Sequence, residues 1–424
     1  MSVATAPSGP AAGSDQTGPG RAHWLRVAKE TADDLATDAV AREQAGKAPF
    51  DEVSRLRESG LLTLLIPAEL GGGGADLPTA YAVVREMAAA DGAIGQLLGC
   101  HYFLSRSARF LTEPSLTEPS LTEPSLAEPS LAERVEQRSA AEQWCWGGGF
   151  ARQEPPLALT KTAAGYVLDG RQSYASGVLV ADRLAVRAVR PDTREPLGVV
   201  VDPAHHGVVV DSDVDTFGQR LAAGGSVEFD GVPVAADDVL GSLSTDEDVL
   251  SPLAALASPV GRLFSVQLRL GMAEGVLAEA REYSRACHSP WHPDWPVGSP
   301  QDPQVLTAYG ELTVLTRAAS ALTDQAQEAV HGGLARGDDL TYDEYAEISV
   351  LVAMAEAAAS RAAQESTSRA LDIVGAGSAS SRLGFDRFWR NARTHTLYEP
   401  VVHRLRDVGD YCLNGAHPPF VLPV

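Results

Sequence analysis

Apolar residues recur every three or four positions from Ala22 to about Phe110. Trp24, Ala28, Ala32, Leu35 and Ala39 form one series and Tyr81, Val84 and Met87 another. This spacing lays an apolar stripe along a helix, so the stretch predicts an all-α region. Ile66-Pro67-Ala68-Glu69-Leu70 and the glycines Gly71 to Gly74 interrupt it. The glycines permit a sharp change of direction, and no Lys-Ser/Thr pair follows them, so the expectation is a helix connector and not a phosphate cradle. From Trp144 to about Gly241 short β runs alternate with turns, among them Gly165 to Gly170, Arg183 to Val189, Gly198 to Val201 and Ser226 to Phe229. That texture predicts a small barrel or sandwich. After Ser251-Pro252 the helical period returns near 253–288, 304–332 and 342–375, the last opened by a Thr341/Glu344 capping box and stopped at Gly375 and Gly377.

Between the first two regions, Leu-Thr-Glu-Pro-Ser occurs three times in tandem at 111–125, followed by Leu-Ala-Glu-Pro-Ser at 126–130. A proline every fifth residue forbids one continuous helix, which predicts an expanded loop over 111–133. The expected organisation is a disordered tail over 1–21, an N-terminal α domain over 22–142, a central β domain over 143–245 and a C-terminal helical bundle over 246–424.

Charge narrows the function classes. Lys plus Arg number 34 against 56 for Asp plus Glu, a net charge of −22 that repels phosphate backbones and anionic membranes. No nucleic-acid or membrane partner is expected. Cys100, Cys145, Cys287 and Cys412 form no Cys-x-x-Cys pair, so neither a disulfide framework nor a zinc site is suggested. His205-His206 lacks a nearby third ligand, and no metal site is expected. The cysteine pattern fits a reducing cytoplasm best, and the sequence has no ~20-residue apolar run and no basic start or apolar h-region in its first 20 residues.

The order of an α region, a β region and a long helical bundle resembles the acyl-CoA dehydrogenase superfamily. Matching segments are Gly60 to Gly72, Gly165-Tyr166-Val167-Leu168-Asp169-Gly170, Phe229-Asp230-Gly231-Val232-Pro233-Val234, Gly271-Met272-Ala273 and Asp372-Ile373-Val374-Gly375-Ala376-Gly377. The implied fold class is α+β, with an N-terminal all-α domain, a central β-barrel or sandwich and a C-terminal four-helix bundle. Within the superfamily, Phe385 to Leu397, Ser289-Pro290-Trp291 and Phe217-Gly218-Gln219-Arg220-Leu221 resemble the flavin-dependent monooxygenases of the dibenzothiophene monooxygenase type. The resemblance implies reduced FMN supplied by a separate NAD(P)H:flavin reductase, with FAD as the alternative, and O2 as co-substrate. A homotetramer with flavin sites near subunit interfaces is implied as well. The expected reaction adds one oxygen to a small organic substrate at sulfur, nitrogen or aromatic carbon through a flavin C4a-hydroperoxide.

Residue by residue, the resemblance puts Ser176 beside the flavin N5 edge and His395 next to the reacting flavin, where a group titrating near neutrality controls the peroxide proton. Glu399 sits where dehydrogenases carry the base that removes a proton α to a thioester; the following Pro400 suits the monooxygenase pattern better. Trp146 and Gly148 are expected over the flavin, Arg285 and Arg382 at its phosphate, and Gly375 and Gly377 along the cofactor. Gln96, Cys100, His101 and Trp146 are expected in the substrate pocket, with packing as the alternative for Trp146. Asn391, Arg390 and Arg393 are expected to hold the helix end and meet a neighbouring subunit. Two other readings stay open: an FAD-dependent acyl-CoA dehydrogenase with Glu399 as base, and a non-catalytic flavin-binding paralogue.

Overall fold

A computed structural model describes residues 19–111, 129–163, 165–213, 215–245, 250–286, 299–398 and 400–422. The expected tail, most of the Leu-Thr-Glu-Pro-Ser tract, Cys287, Ser289-Pro290-Trp291 and Glu399 lie outside the described residues.

Among the described residues seven α-helices come first: α1 (Arg21–Ala36), α2 (Ala39–Ala45), α3 (Phe50–Glu58), α4 (Leu77–Ala90), α5 (Gly92–Arg106), α6 (Ala108–Leu111) and α7 (Leu131–Glu142). The stripe read from α1 is the buried one, Trp24, Ala28, Ala32 and Leu35. The four-glycine segment is a connector between α3 and α4: a side chain at Gly72 would meet the Ile66 carbonyl at 2.2 Å, and one at Gly73 would strike Trp24 and Leu64.

The sheet follows, with β1 (Trp146–Gly149), β2 (Leu157–Thr162), β3 (Gly165–Ala175), β4 (Arg183–Val189), β5 (Pro196–Val201), β6 (Val208–Asp211), β7 (Gly225–Val234) and β8 (Val239–Ser242). Its order is β6-β7-β3-β2-β4-β5-β8, and β1 pairs in parallel with the first half of β4. Its own apolar cluster includes Leu168, Leu184, Val199 and Phe229.

The chain then returns to helix as α8 (Pro252–Ala255), α9 (Ala257–Ala286), α10 (Pro303–Arg336), α11 (Tyr342–Val374), α12 (Asp386–Tyr398) and α13 (Val401–Asn414). The capping box forms as read: the Thr341 hydroxyl accepts from Glu344 N–H, and the Glu344 carboxylate accepts from Thr341 N–H at 2.9 Å. Helix α9 is buried on nearly every side. Gly271 and Gly275 let it approach α4, since a Cβ at either would meet the Arg85 or Ala89 carbonyl at 2.3 and 2.1 Å. One apolar core therefore runs through both helical regions, from Trp24 and Tyr81 to Phe264 and Val352. Among the described residues no helix is long and apolar enough to cross a membrane.

Candidate active site

Strand β3 ends at Ala175 and Ser176 follows it, and β1 lies beside that end because Gly147 and Gly148 carry no side chains. A Cβ at Gly147 would come within 2.8 Å of Gly177, and one at Gly148 within 2.3 Å of the Ala185 carbonyl. Gly148 N–H donates to the Ser176 carbonyl at 2.8 Å. The Ser176 backbone is thereby held by the sheet, while its side chain borders a cavity of about 560 Å³. That volume lies within the ~300–1,000 Å³ usual for small-molecule and cofactor sites.

The second wall comes from α12 and from the loop over residues 215–224, two segments far apart in sequence. Asn391 accepts the Gln219 N–H on its side-chain oxygen at 2.7 Å, and Arg390 donates to the Phe217 carbonyl at 3.0 Å. Phe217 stacks on Trp389 with ring centres 5.9 Å apart. A Cβ at Gly218 would meet the Arg390 carbonyl at 2.1 Å, so this contact requires glycine. Asn391 and Arg390, expected to face a neighbouring subunit, are thus engaged inside their own chain.

This docking brings Gln219, Arg220, His395 and Tyr398 to the same cavity as Ser176 and Gln96. Tyr174 (φ 55°) and Gln219 (φ 57°) also line it, and both hold a backbone conformation that non-glycine residues rarely adopt. Gln219 is buried, its amide N–H2 donates to the Asn391 carbonyl at 3.3 Å, and its Oε1 has no hydrogen-bond partner. A buried, unsatisfied acceptor on a cavity wall is a place for a ligand N–H. Arg220 is the one cation among the described lining residues; its guanidinium donates to the Glu43 carbonyl at 3.2 Å and meets no carboxylate among the described residues.

His395 is buried and accepts from the Arg269 guanidinium N–H at its Nδ1, at 3.2 Å. Burial, reinforced by the Arg269 charge, holds its pKa well below the ordinary histidine value. The expectation of a group titrating near neutrality is therefore corrected: His395 reaches the cavity as a neutral imidazole. Beside the main cavity, sharing Gln96 and Ser265, lies a slot of about 30 Å³ lined by Cys100, Phe103, Phe264 and Gly148. Its apolar surroundings push the Cys100 thiol up to about 12, so the sulfur is neutral.

Other expected site residues lie elsewhere. Trp146 is buried against Trp144 and donates its indole N–H to Ser139 at 2.9 Å, off both cavities. It packs the junction of α7 and β1 and is not available to stack on a flavin. His101 is fully buried, with Nε2–H donating to the Leu62 carbonyl at 2.7 Å and Nδ1 accepting from Trp146 N–H at 3.0 Å. Both ring nitrogens are spent inside the core, so it does not line the substrate pocket. Arg285 is exposed and pairs with Glu282 at 3.5 Å, and Arg382 is exposed on the turn before α12. Gly375 and Gly377 end α11, Gly377 pressed on Tyr283 of α9. None of these four borders the cavity of its own chain. The residues that sequence reasoning left without a role, Gln219, Arg220, Thr216 and Ser265, all border it. The signal for the first two was the Phe217 to Leu221 string, visible as a pattern without a function attached.

Two family models match the chain, the acyl-CoA dehydrogenase N-terminal domain over residues 23–112 and the acyl-CoA dehydrogenase C-terminal domain over 263–402. Dibenzothiophene monooxygenase of Mycolicibacterium goodii is 34% identical, the match covering 93% of this chain and 94% of that protein. The probable FMNH2-dependent monooxygenase SfnC of Pseudomonas putida is 31% identical over 93% and 95% of the two chains. The crystal structure of FMN-bound TdsC from Paenibacillus sp. A11-2 superposes with a TM-score of 0.85 at 32% identity, covering 94% of this chain and 99% of that one; TdsC has also been solved with FMN and indole together. By these matches the chain belongs to the acyl-CoA dehydrogenase superfamily and, within it, to the flavin-dependent monooxygenases of the dibenzothiophene monooxygenase type.

Proposed function

We propose that the chain is the oxygenating half of a two-component system: it takes reduced FMN and O2 and adds one oxygen atom to a small organic substrate at sulfur, nitrogen or an aromatic carbon. The convergence of Ser176 from the sheet and His395 from α12 on one cavity carries this reading. Reduced FMN, when bound, supplies the electrons that activate O2. The residues present fit such a group. Gln219 offers a buried acceptor for a ring N–H, Arg220 a guanidinium for a phosphate, and Ser176 a hydroxyl able to donate or accept at the ring edge. The apolar slot at Cys100 and Phe264, reached past Gln96, supports a substrate with a hydrophobic body. The names of the relatives point to thioaromatic and other organosulfur compounds and to indole as the first classes to try.

The flavin arrives already reduced from a separate NAD(P)H:flavin reductase, since the sequence has no Gly-x-Gly-x-x-Gly turn for a nicotinamide. A flavin role for Arg285, Arg382, Gly375 and Gly377 requires a homotetramer in which these groups border the cavity of the next protomer. The enzyme would work in the cytoplasm. Titration with FMN and with FAD, followed by reductase-coupled turnover of a panel of thioaromatic, alkyl-sulfur and indole compounds, tests the reading. Oxygenated product formed with FMN supports it; FMN binding with no product across the panel favours the non-catalytic paralogue.

A further inference from the structure

Arg269 lies on α9, one turn beyond the cavity residue Ser265, and is fully buried. Its Nε–H donates to His395 Nδ1 at 3.2 Å and one Nη–H donates to Glu356 at 3.1 Å. Glu356, also fully buried, accepts on its other oxygen from Arg262 at 3.3 Å, and Arg262 donates to the Val421 carbonyl at 3.1 Å. A chain of buried charges thus runs from α13's trailing segment through α9 and α11 to the imidazole of α12. It fixes Arg269 in place, because moving the guanidinium would take from Glu356 a cation it pairs with in a low-dielectric interior.

A guanidinium has five N–H donors and no acceptor. The nitrogen of His395 that faces Arg269 must therefore carry a lone pair, and a neutral ring then bears its proton on Nε2. Protonation of Nδ1 would set donor against donor and cation beside cation. Nε2 has no hydrogen-bond partner within the described protein, and the ring lines the cavity. We propose that Arg269 is a positioning residue that locks His395 as the neutral Nε2–H tautomer, so that the cavity receives a fixed hydrogen-bond donor and not a proton acceptor. The low pKa of His395 agrees with this. Arg269 of α9 contacts the imidazole directly, Glu356 of α11 stands behind that guanidinium, and Tyr398, Tyr174, Asp215 and Arg220 line the same cavity as His395. None of them supplies an acceptor to Nδ1. The consequence for oxygenation rests on the reading that His395 faces reduced flavin; the tautomer itself does not.

The test uses the full-length protein without flavin. Nitrogen-15 spectra of labelled histidine, with His395 assigned by loss of its signal in His395→Gln, report tautomer and titration directly. Expected are one protonated nitrogen at Nε2, a lone-pair nitrogen at Nδ1, and no titration from pH 5.5 to 9. In Arg269→Met the ring should become a tautomer mixture whose pKa rises while burial still holds it below the ordinary value, and Arg269→Lys keeps His395 neutral. A wild-type Nδ1–H tautomer, a protonated ring at pH 7, or an Arg269→Met spectrum identical to wild type overturns the proposal. The wild-type spectrum decides the tautomer even if the methionine variant fails to fold. Absence of turnover on every substrate would count against the functional reading alone.

Discussion

Gln219 gives its backbone N–H to the Asn391 side chain across 2.7 Å, and 172 residues of sequence separate the two. That bond fastens the loop between β6 and β7 to helix α12, so that His395 and Gln219 share one cavity.

The contact between this loop and α12 can be broken at its tightest point. Gly218→Ala would place a methyl group 2.1 Å from the Arg390 carbonyl, and the forced shift should cost about 1–3 kcal/mol. Thermal melts should show a lower Tm, and FMN titration should show weaker binding as well. Unchanged stability and affinity would mean that the loop is not held by α12.

Arg220 is expected to carry cofactor affinity. Removing a charge-assisted hydrogen bond costs about 1.5–3 kcal/mol, so Arg220→Ala should raise the FMN Kd by roughly 10- to 150-fold. Riboflavin, which lacks the phosphate, should bind the variant and the wild type alike. Equal loss for both flavins would remove the phosphate from this account.

His395→Ala should lower coupled oxygenation by about 10²-fold or more and leave the FMN Kd within a few-fold. Ser176→Ala should bind FMN yet release more hydrogen peroxide per NADH consumed, because the hydroxyl at the ring edge is gone. Product and peroxide measured in the same reductase-coupled assay check both. Full coupling in either variant strips that residue of its role.

The buried histidines should make stability depend on pH. Burial lowers His101 to about 4, whereas the unfolded chain titrates near 6.5. The unfolded state therefore takes up the proton first: the stabilisation is complete above about pH 6.5 and is lost as pH falls toward 4, by about 3 kcal/mol in the limit. His395, also lowered, adds loss of the same sign. Urea unfolding at pH 7.5 and pH 5 should show the drop, and His101→Gln should reduce it. A flat profile would contradict the buried, neutral rings.

Helical periodicity was enough to find α9, α10 and α11, and the Thr341/Glu344 box marked the first turn of α11, because both signals are local. His395 and Ser176 were legible only through the strings that contain them. Trp146 and His101 look like pocket residues in sequence, yet alternation along β1 cannot say that α7 covers one side of it, where Ser139 takes the indole N–H. Arg269 was unreadable as a site residue: its partner His395 is 126 positions away, and an arginine within an apolar helix gives no hint of which neighbour it serves. Arg285 and Arg382 were assigned by type, and only the fold shows that their own cavity lies elsewhere.

The central claim is that one atom of O2 enters an organic product at this cavity when reduced FMN is supplied. Turnover under isotopically labelled O2, with mass spectrometry of the product, tests it most directly. The account predicts a single labelled oxygen atom in the product, dependent on FMN and on the reductase, and formed far more slowly in His395→Ala. Unlabelled product formed in labelled O2, or α,β-dehydrogenation of an acyl-CoA with no oxygen gained, would contradict it.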